Sequence, residues 1–389
     1  MDAALACLTK QNSLQTRVSK CIIEHSVDKA RDGELIFMKT YLKNYTITEQ
    51  DVTNALESWM ANASGHKNSY RIAQEYGNAH ALVTEIYEEI INRNLQFKSI
   101  HRYNRTESIN GKVRKIGVES IKQQIVDYLV CILLTPLFDA KIGFYQVASM
   151  KGKGQKLCRI ALNKWVKDTT YHVKMDIRQC YPSTSHDIVR DTYRKYVKSD
   201  DVLYVIDTLL STYDTGLEIG SYFSMQTMQF ILSSGYHYVE NLSKIRRGKN
   251  VSLVKHQIWY MDDILLMATD KRDLKMAARA LQTYLSNELK LNVKPWKICK
   301  TSDSEPLDLG GFVVRKNSCT IRSGIFLRGI HAFKAFAKSP TIENARRCAS
   351  YWGWFKNSDS NTVIQKKSLL DIFSHARKVM SSHDKKSES

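Results

Sequence analysis

The chain has 389 residues, with 58 Lys and Arg against 39 Asp and Glu, a formal net charge of +19. That balance points to a polyanionic partner; 43% apolar residues allow a sizeable core, and only five prolines and seventeen glycines argue against long disordered linkers. The eight cysteines (Cys7, Cys21, Cys131, Cys158, Cys180, Cys299, Cys319, Cys348) form no CxxC pair, which excludes a disulfide framework or zinc site and suits reduced thiols in a cytoplasmic location.

In chain order, residues 1–95 read as a helical N-terminal extension. Apolar side chains at Val52, Ala55, Leu56 and Trp59, and again at Ala81, Val83, Ile86, Tyr87, Ile90 and Ile91, fall at helical spacing. The N-terminal apolar run, ending before Lys10, is too short for a secretory signal. Residues 97–103 and 113–118 flank Asn110-Gly111, a type I′ turn signal, and predict a hairpin studded with Lys98, Arg102, Arg105, Lys112, Arg114 and Lys115. A helix is expected from Glu119 to Asp139. Its apolar stretch Tyr128–Phe138 contains Pro136 and is too short to span a bilayer, so no membrane partner is expected.

The Gly152-Lys153-Gly154 loop is flexible, basic and placed before a helix, a setting that suits a phosphate. A strand then runs into Asp176, with Tyr181 and Pro182 following. Glu218–Leu232 is a Gly-Ser turn opening a long apolar helix, and Arg246–Asn250 is a basic excursion. Trp259–Thr269 carries Asp262 and Asp263 between two apolar strands, a hairpin with a two-residue acidic tip. Adjacent carboxylates on a buried scaffold call for a cation, and an all-oxygen site suits Mg²⁺ or Mn²⁺. Lys271–Leu289 reads as an amphipathic helix, Leu291–Lys300 as a basic strand, and Leu307–Val314 as a tight Gly-Gly strand. The chain from Arg322 is basic and helical, with a disordered tail at 381–389.

A strand-end Asp with an aromatic five residues on, a Gly-xxx-Ser turn into a helix, and aromatic-x-Asp-Asp in a hairpin, in that order, resemble a reverse transcriptase over residues 96–375. The resemblance implies an α+β right-hand polymerase: fingers at 96–170, a palm at 171–318 with a finger insert at 183–216, and a helical thumb at 319–380. It implies an RNA-directed DNA polymerase with two Mg²⁺ ions (Mn²⁺ as substitute), catalytic Asp176, Asp262 and Asp263, and Ile177 as a further metal-site residue. Arg114, Lys115, Tyr181 (as a steric gate against ribonucleotides), Gly220, Ser224 and Lys294 or Lys297 would meet the nucleotide. Lys151, Lys153, Gln226, Gly310, Gly311 (a primer-grip turn) and Arg328 would meet nucleic acid.

Ile219-Gly220-xxx-Ser224 looks like the enzymes of diversity-generating retroelements and of bacterial phage-defence systems, although Met225 stands where those carry Gln. Tyr351–Lys356 is also similar to those enzymes. No RNase H, endonuclease or integrase segment is read in the chain. The expected partners are therefore dNTPs, a DNA product and a dedicated noncoding RNA template, with an accessory protein or second copy. Phage defence is the favoured setting. A diversity-generating retroelement, template-independent synthesis and a silent RNA-binding scaffold are the competing readings.

Overall fold

The computed structural model describes residues 25–29, 35–62, 68–106, 113–150, 152–302 and 304–387. A short antiparallel hairpin, β1 (His25–Lys29) and β2 (Leu35–Lys39), stands where the sequence reading expects helix. Then come α1 (Glu49–Met60), α2 (Tyr70–Tyr76) and α3 (Ala79–Ile91). At the start of α1 the Thr48 hydroxyl accepts from the Asp51 N–H while the Asp51 carboxylate accepts from the Thr48 N–H, a reciprocal cap. Its buried residues are Val52, Ala55, Leu56 and Trp59, the face its spacing predicts.

The basic hairpin is β3 (His101–Thr106) with β4 (Val113–Val118); its expected Asn110-Gly111 turn and Lys112 lie outside the described residues. The helix expected over 119–139 is two helices, α4 (Ile121–Leu133) and α5 (Thr135–Lys141), bent by 57°. Pro136, without an N–H, sits in the first turn of α5 and cannot continue α4. Among the described residues no single helix is long and apolar enough to cross a membrane.

Next are α6 (Gly154–Trp165), β5 (Tyr171–Asp176), α7 (Cys180–Ser183), α8 (His186–Tyr196), α9 (Asp200–Ser211) and α10 (Tyr222–Asn241). The basic excursion is a two-stranded ribbon, β6 (Ser243–Arg246) and β7 (Lys249–Ser252), turned by Arg247 and Gly248, both at positive φ. Then follow β8 (His256–Tyr260), β9 (Asp263–Ala268), α11 (Lys271–Glu288), β10 (Ile298–Lys300), β11 (Leu307–Leu309), β12 (Phe312–Val314) and β13 (Cys319–Ile321). Of the expected strand 291–300, only the last three residues form a strand. The chain closes with α12 (Ser323–Lys338), α13 (Ile342–Lys356), α14 (Asn361–Lys366) and α15 (Leu369–Ser387), so residues 381–387 of the expected tail are helical.

These elements form two compact units. The first comprises the described residues of Met1–Gly143, with Ile177–His237 and Thr283–Asn292. Its core helix α4 packs on α1, α3 and α9. Lys122 of α4 is buried, and Glu85 and Glu89 of α3 take up its charge at 2.7 and 2.6 Å; a buried ammonium without such partners would be lost.

The second unit comprises Phe144–Asp176, Tyr238–Gln282 and the described residues of Val293–Ser389. It holds an antiparallel sheet in the order β10-β5-β9-β8 and a smaller sheet β11-β12-β13. Residues 264–268 of β9 are all buried, so this strand is covered on both faces and reads as a continuous apolar run. Cys158, Leu162 and Trp165 of α6 join Leu265, Met267, Leu309 and Phe312 in one apolar core. Burying a leucine such as Leu265 is worth roughly 1.5–3 kcal/mol. The helices α12 to α15 build a second core around Phe333, Phe336, Cys348 and Phe355.

Candidate active site

The second unit brings the three predicted aspartates onto one sheet. Val173 and Met175 are fully buried and anchor β5, which delivers Asp176 at its end. In the β8–β9 hairpin Tyr260 pairs with Asp263, so the loop residues are Met261 and Asp262. The expected tip Asp262-Asp263 is thus displaced by one residue: Asp263 is the first ladder residue of β9. The reason is turn geometry. A two-residue hairpin loop wants positive φ at its first position, and Met261 adopts φ 56°, which is strained for a bulky side chain.

Across the other edge of β9, Asp176 pairs directly with Asp263. Side chains in such a pair start only about 5 Å apart at Cβ, so the two carboxylates repel unless a cation intervenes. Two lysines partly serve. Lys294 Nζ lies 2.8 Å from Asp176 Oδ1, and its N–H donates to the Asp176 carbonyl at 2.8 Å. Lys174 Nζ lies 3.2 Å from Asp263 Oδ1. Strand alternation puts Lys174 on the face of Asp176, a signal legible in Lys174-Met-Asp176. Lys297 turns instead to Glu305 at 3.2 Å, so of the two candidate lysines Lys294 stands at the carboxylates.

The donor set fits a hard divalent cation. The buried Asp176 Oδ1 accepts no aligned hydrogen bond; the Lys294 contact is a charge contact without donor alignment. Among the described residues no three His, Cys, Asp or Glu side chains form a ready metal cage. Mg²⁺ suits this arrangement, because it is held by one or two carboxylates and completes its shell with water and substrate phosphates. Ile177 follows Asp176 and is buried; only its backbone carbonyl has the chemistry of a ligand.

Gly310 and Gly311 form the loop of the β11–β12 hairpin, both at positive φ. A Cβ on Gly310 would stand 3.6 Å from the Tyr260 ring and 3.1 Å from Cys158 Sγ, and one on Gly311 would strike Trp354. Glycine at 311 lets this turn pack against the Trp354 ring. Lys153 precedes α6 with its ammonium over the Phe144 ring at 5.3 Å. Arg328 lies half-buried on α12, and Lys151 lies outside the described residues.

The remaining predicted residues belong to the first unit. Arg114 and Lys115 are successive residues of β4 and point to opposite faces. Lys115 faces Asp214 at 3.5 Å, and Arg114 is cross-strand from Arg105. Gln226 donates to the Tyr222 hydroxyl at 3.4 Å. Tyr181 lies in α7, where its carbonyl accepts from the Leu217 N–H at 2.9 Å.

The Gly220 turn is held by a buried polar network that sequence reasoning missed. Gly220 has φ 119°, and a Cβ there would collide with the Gly117 carbonyl. The Gly117 N–H donates to the Ile219 carbonyl at 2.9 Å. Ser224 is fully buried and its hydroxyl accepts from the Glu218 N–H at 3.1 Å, so that hydroxyl shapes the turn and does not face solvent.

Asp127, fully buried on α4, accepts from the Ser221 hydroxyl at 2.8 Å and the Phe223 N–H at 3.0 Å, capping α10. Burial, then the Asp127 charge, pushes the neighbouring Glu119 carboxyl up to about 10. Arg102 of β3 grips Glu218 at 2.7 Å and Asp214 at 3.1 Å. Asp127 and the turn at Ser221–Phe223, like Arg102 and Glu218, lie about 90 to 120 residues apart in sequence, and no local pattern announces them.

An antiparallel sheet with two carboxylates opposed across one ladder and a third on the adjoining loop is the palm of a right-hand nucleic-acid polymerase. Residues 101–314, just over half of the chain, match the family described as reverse transcriptase (RNA-dependent DNA polymerase), and the chain belongs to that family. No curated protein matches the chain. Among solved structures, apo telomerase from Candida tropicalis is similar at a TM-score of 0.46 and 10% identity; the similarity covers 70% of this chain and 57% of the telomerase chain.

Proposed function

We propose that this protein is a divalent-metal-dependent reverse transcriptase that copies an associated noncoding RNA into DNA in defence against phage. The observation that carries the chemistry is the opposition of Asp176 and Asp263 across one ladder, with Asp262 on the adjoining loop. Asp176, Asp262 and Asp263 would hold two ions, with the Ile177 carbonyl as a further donor. Ions held by these residues would supply activation of a primer hydroxyl and neutralise charge on the transferring phosphoryl group. Lys294 and Lys174 keep the carboxylates apart until then. Arg114 and Lys115 meet the triphosphate, and Gly220 carries the template side of the site, positioned by Ser224. Tyr181 excludes the ribose 2′-hydroxyl.

The setting rests on the Ile219-Gly220-xxx-Ser224 turn and on Tyr351–Lys356, which look like the phage-defence enzymes. The test is to purify the protein from its host with its flanking genomic region and sequence every copurifying nucleic acid. One abundant RNA with complementary DNA is expected. DNA without a matching RNA would replace templated copying with untemplated synthesis. RNA binding should also weaken steeply with salt, because phosphate contacts release counterions.

A further inference from the structure

Helices α13 and α15 of the second unit leave an open groove between them that the carboxylate site does not use. It encloses about 620 Å³, and its walls include Trp352 and Lys356 from α13 with Leu370, Phe373, Arg377 and Lys378 from α15. Trp352 and Phe373 stack at 4.8 Å and 15°. Trp352 also meets Phe333 edge-on at 6.4 Å, which ties the stack to the helical core and stiffens it.

Leu370, Phe373 and Arg377 lie three and four residues apart, on one face of α15; Lys356 lies one turn beyond Trp352 on α13. Leu370 is 53% exposed. Among the described residues, no carboxylate lies within ion-pair distance of Lys356, Arg377 or Lys378.

An apolar partner would leave three cations uncompensated, and an acidic peptide would leave the aromatic stack without a flat partner. A duplex keeps its bases inside the helix. A single strand offers both an unpaired base for the rings and phosphates for the cations. The volume is within the about 300–1,000 Å³ of ligand sites, room for a nucleotide of such a strand. We propose that the α13–α15 groove binds a single-stranded stretch of RNA, with an unpaired base against Trp352 and Phe373 and the flanking phosphates on Lys356, Arg377 and Lys378. RNA is the strand named because the family copies RNA. The proposal requires no DNA synthesis and goes beyond the polymerase reading.

The test uses the full-length protein and a uridine-rich single-stranded RNA carrying 5-iodouridine. Photo-crosslinked peptides should contain Trp352 or Phe373. The double variant Arg377→Gln, Lys378→Gln changes only exposed positions. It should weaken single-strand binding about tenfold and lower the salt slope by about 1.4, as two lost phosphate contacts require. Trp352→Leu should weaken it about tenfold while Trp352→Phe retains most of it, because stacking needs only a ring.

Crosslinks confined to other peptides, unchanged affinity and salt slope in the double variant, or an equal loss for duplex RNA would each overturn the proposal. So would losses confined to single-stranded DNA of the same sequence. Asp263→Asn separates this reading from the polymerase reading: it should silence DNA synthesis and leave groove binding intact.

Discussion

Asp176 and Asp263 face one another across the β5–β9 ladder, one ending its strand and the other beginning its neighbour. Neither carboxylate is deeply hidden, at 35% and 30% side-chain exposure, so a ligand from solvent reaches both. Such a pair favours neither fold nor charge balance unless a cation lies between the carboxylates.

Asp263→Asn should therefore lower DNA synthesis by roughly 10²–10³-fold or more. The thermal midpoint should hold or rise, because the change removes a like-charge repulsion. Primer extension and thermal unfolding on the same preparation check this. A variant that unfolds in step with its loss of activity would mark Asp263 as a structural ion-pair residue.

Arg102 and Glu218 are 17% and 9% exposed at the side chain and lie 2.7 Å apart. Arg102→Met leaves the Glu218 carboxylate nearly buried without its main partner, which should cost about 3–5 kcal/mol in denaturant unfolding. Adding Glu218→Gln should recover a large part of that cost. Additive effects of the two changes would show that the pair is not coupled.

The Glu119–Asp127 pair sets a pH dependence. Burial and then the Asp127 charge raise the Glu119 carboxyl from its ordinary 4.5 to about 10. Burial likewise raises Asp127, to about 6. The folded state therefore binds these protons more tightly than the unfolded chain does. Their stabilisation is complete below the ordinary carboxylate values and is lost as pH rises, through about 6 for Asp127 and about 10 for Glu119. The thermal midpoint should accordingly fall as pH is raised from about 5 to about 9, and Glu119→Gln, which needs no proton, should flatten that slope. Equal slopes in both proteins would show that the fold does not hold Glu119 protonated.

The backbone of Tyr181 is fixed from the Gly216 turn, where a Cβ would strike the Tyr181 and Pro182 carbonyls. Tyr181 follows Asp176 by five residues in the chain. Tyr181→Ala should raise the kcat/KM ratio of NTP to dNTP by at least about tenfold. An unchanged ratio would remove the gate role from this residue.

What the sequence by itself determined is local. The buried face of α1, the strands flanking the aspartates and the strand that ends at Asp176 follow from periodicity and turn chemistry within a dozen residues. Three matters were decided only by the tertiary structure: the loop at Met261-Asp262, the opposition of Asp176 to Asp263, and the choice of Lys294 over Lys297. Each depends on strand register, and a shift of one residue sends every side chain to the other face. Register is set by how Leu265, Met267 and Ile258 pack against α6, residues far from Asp176 in the chain. The same holds for Arg102 with Glu218. A buried charge must find its partner wherever the fold brings one, and the partner's sequence distance carries no information about it.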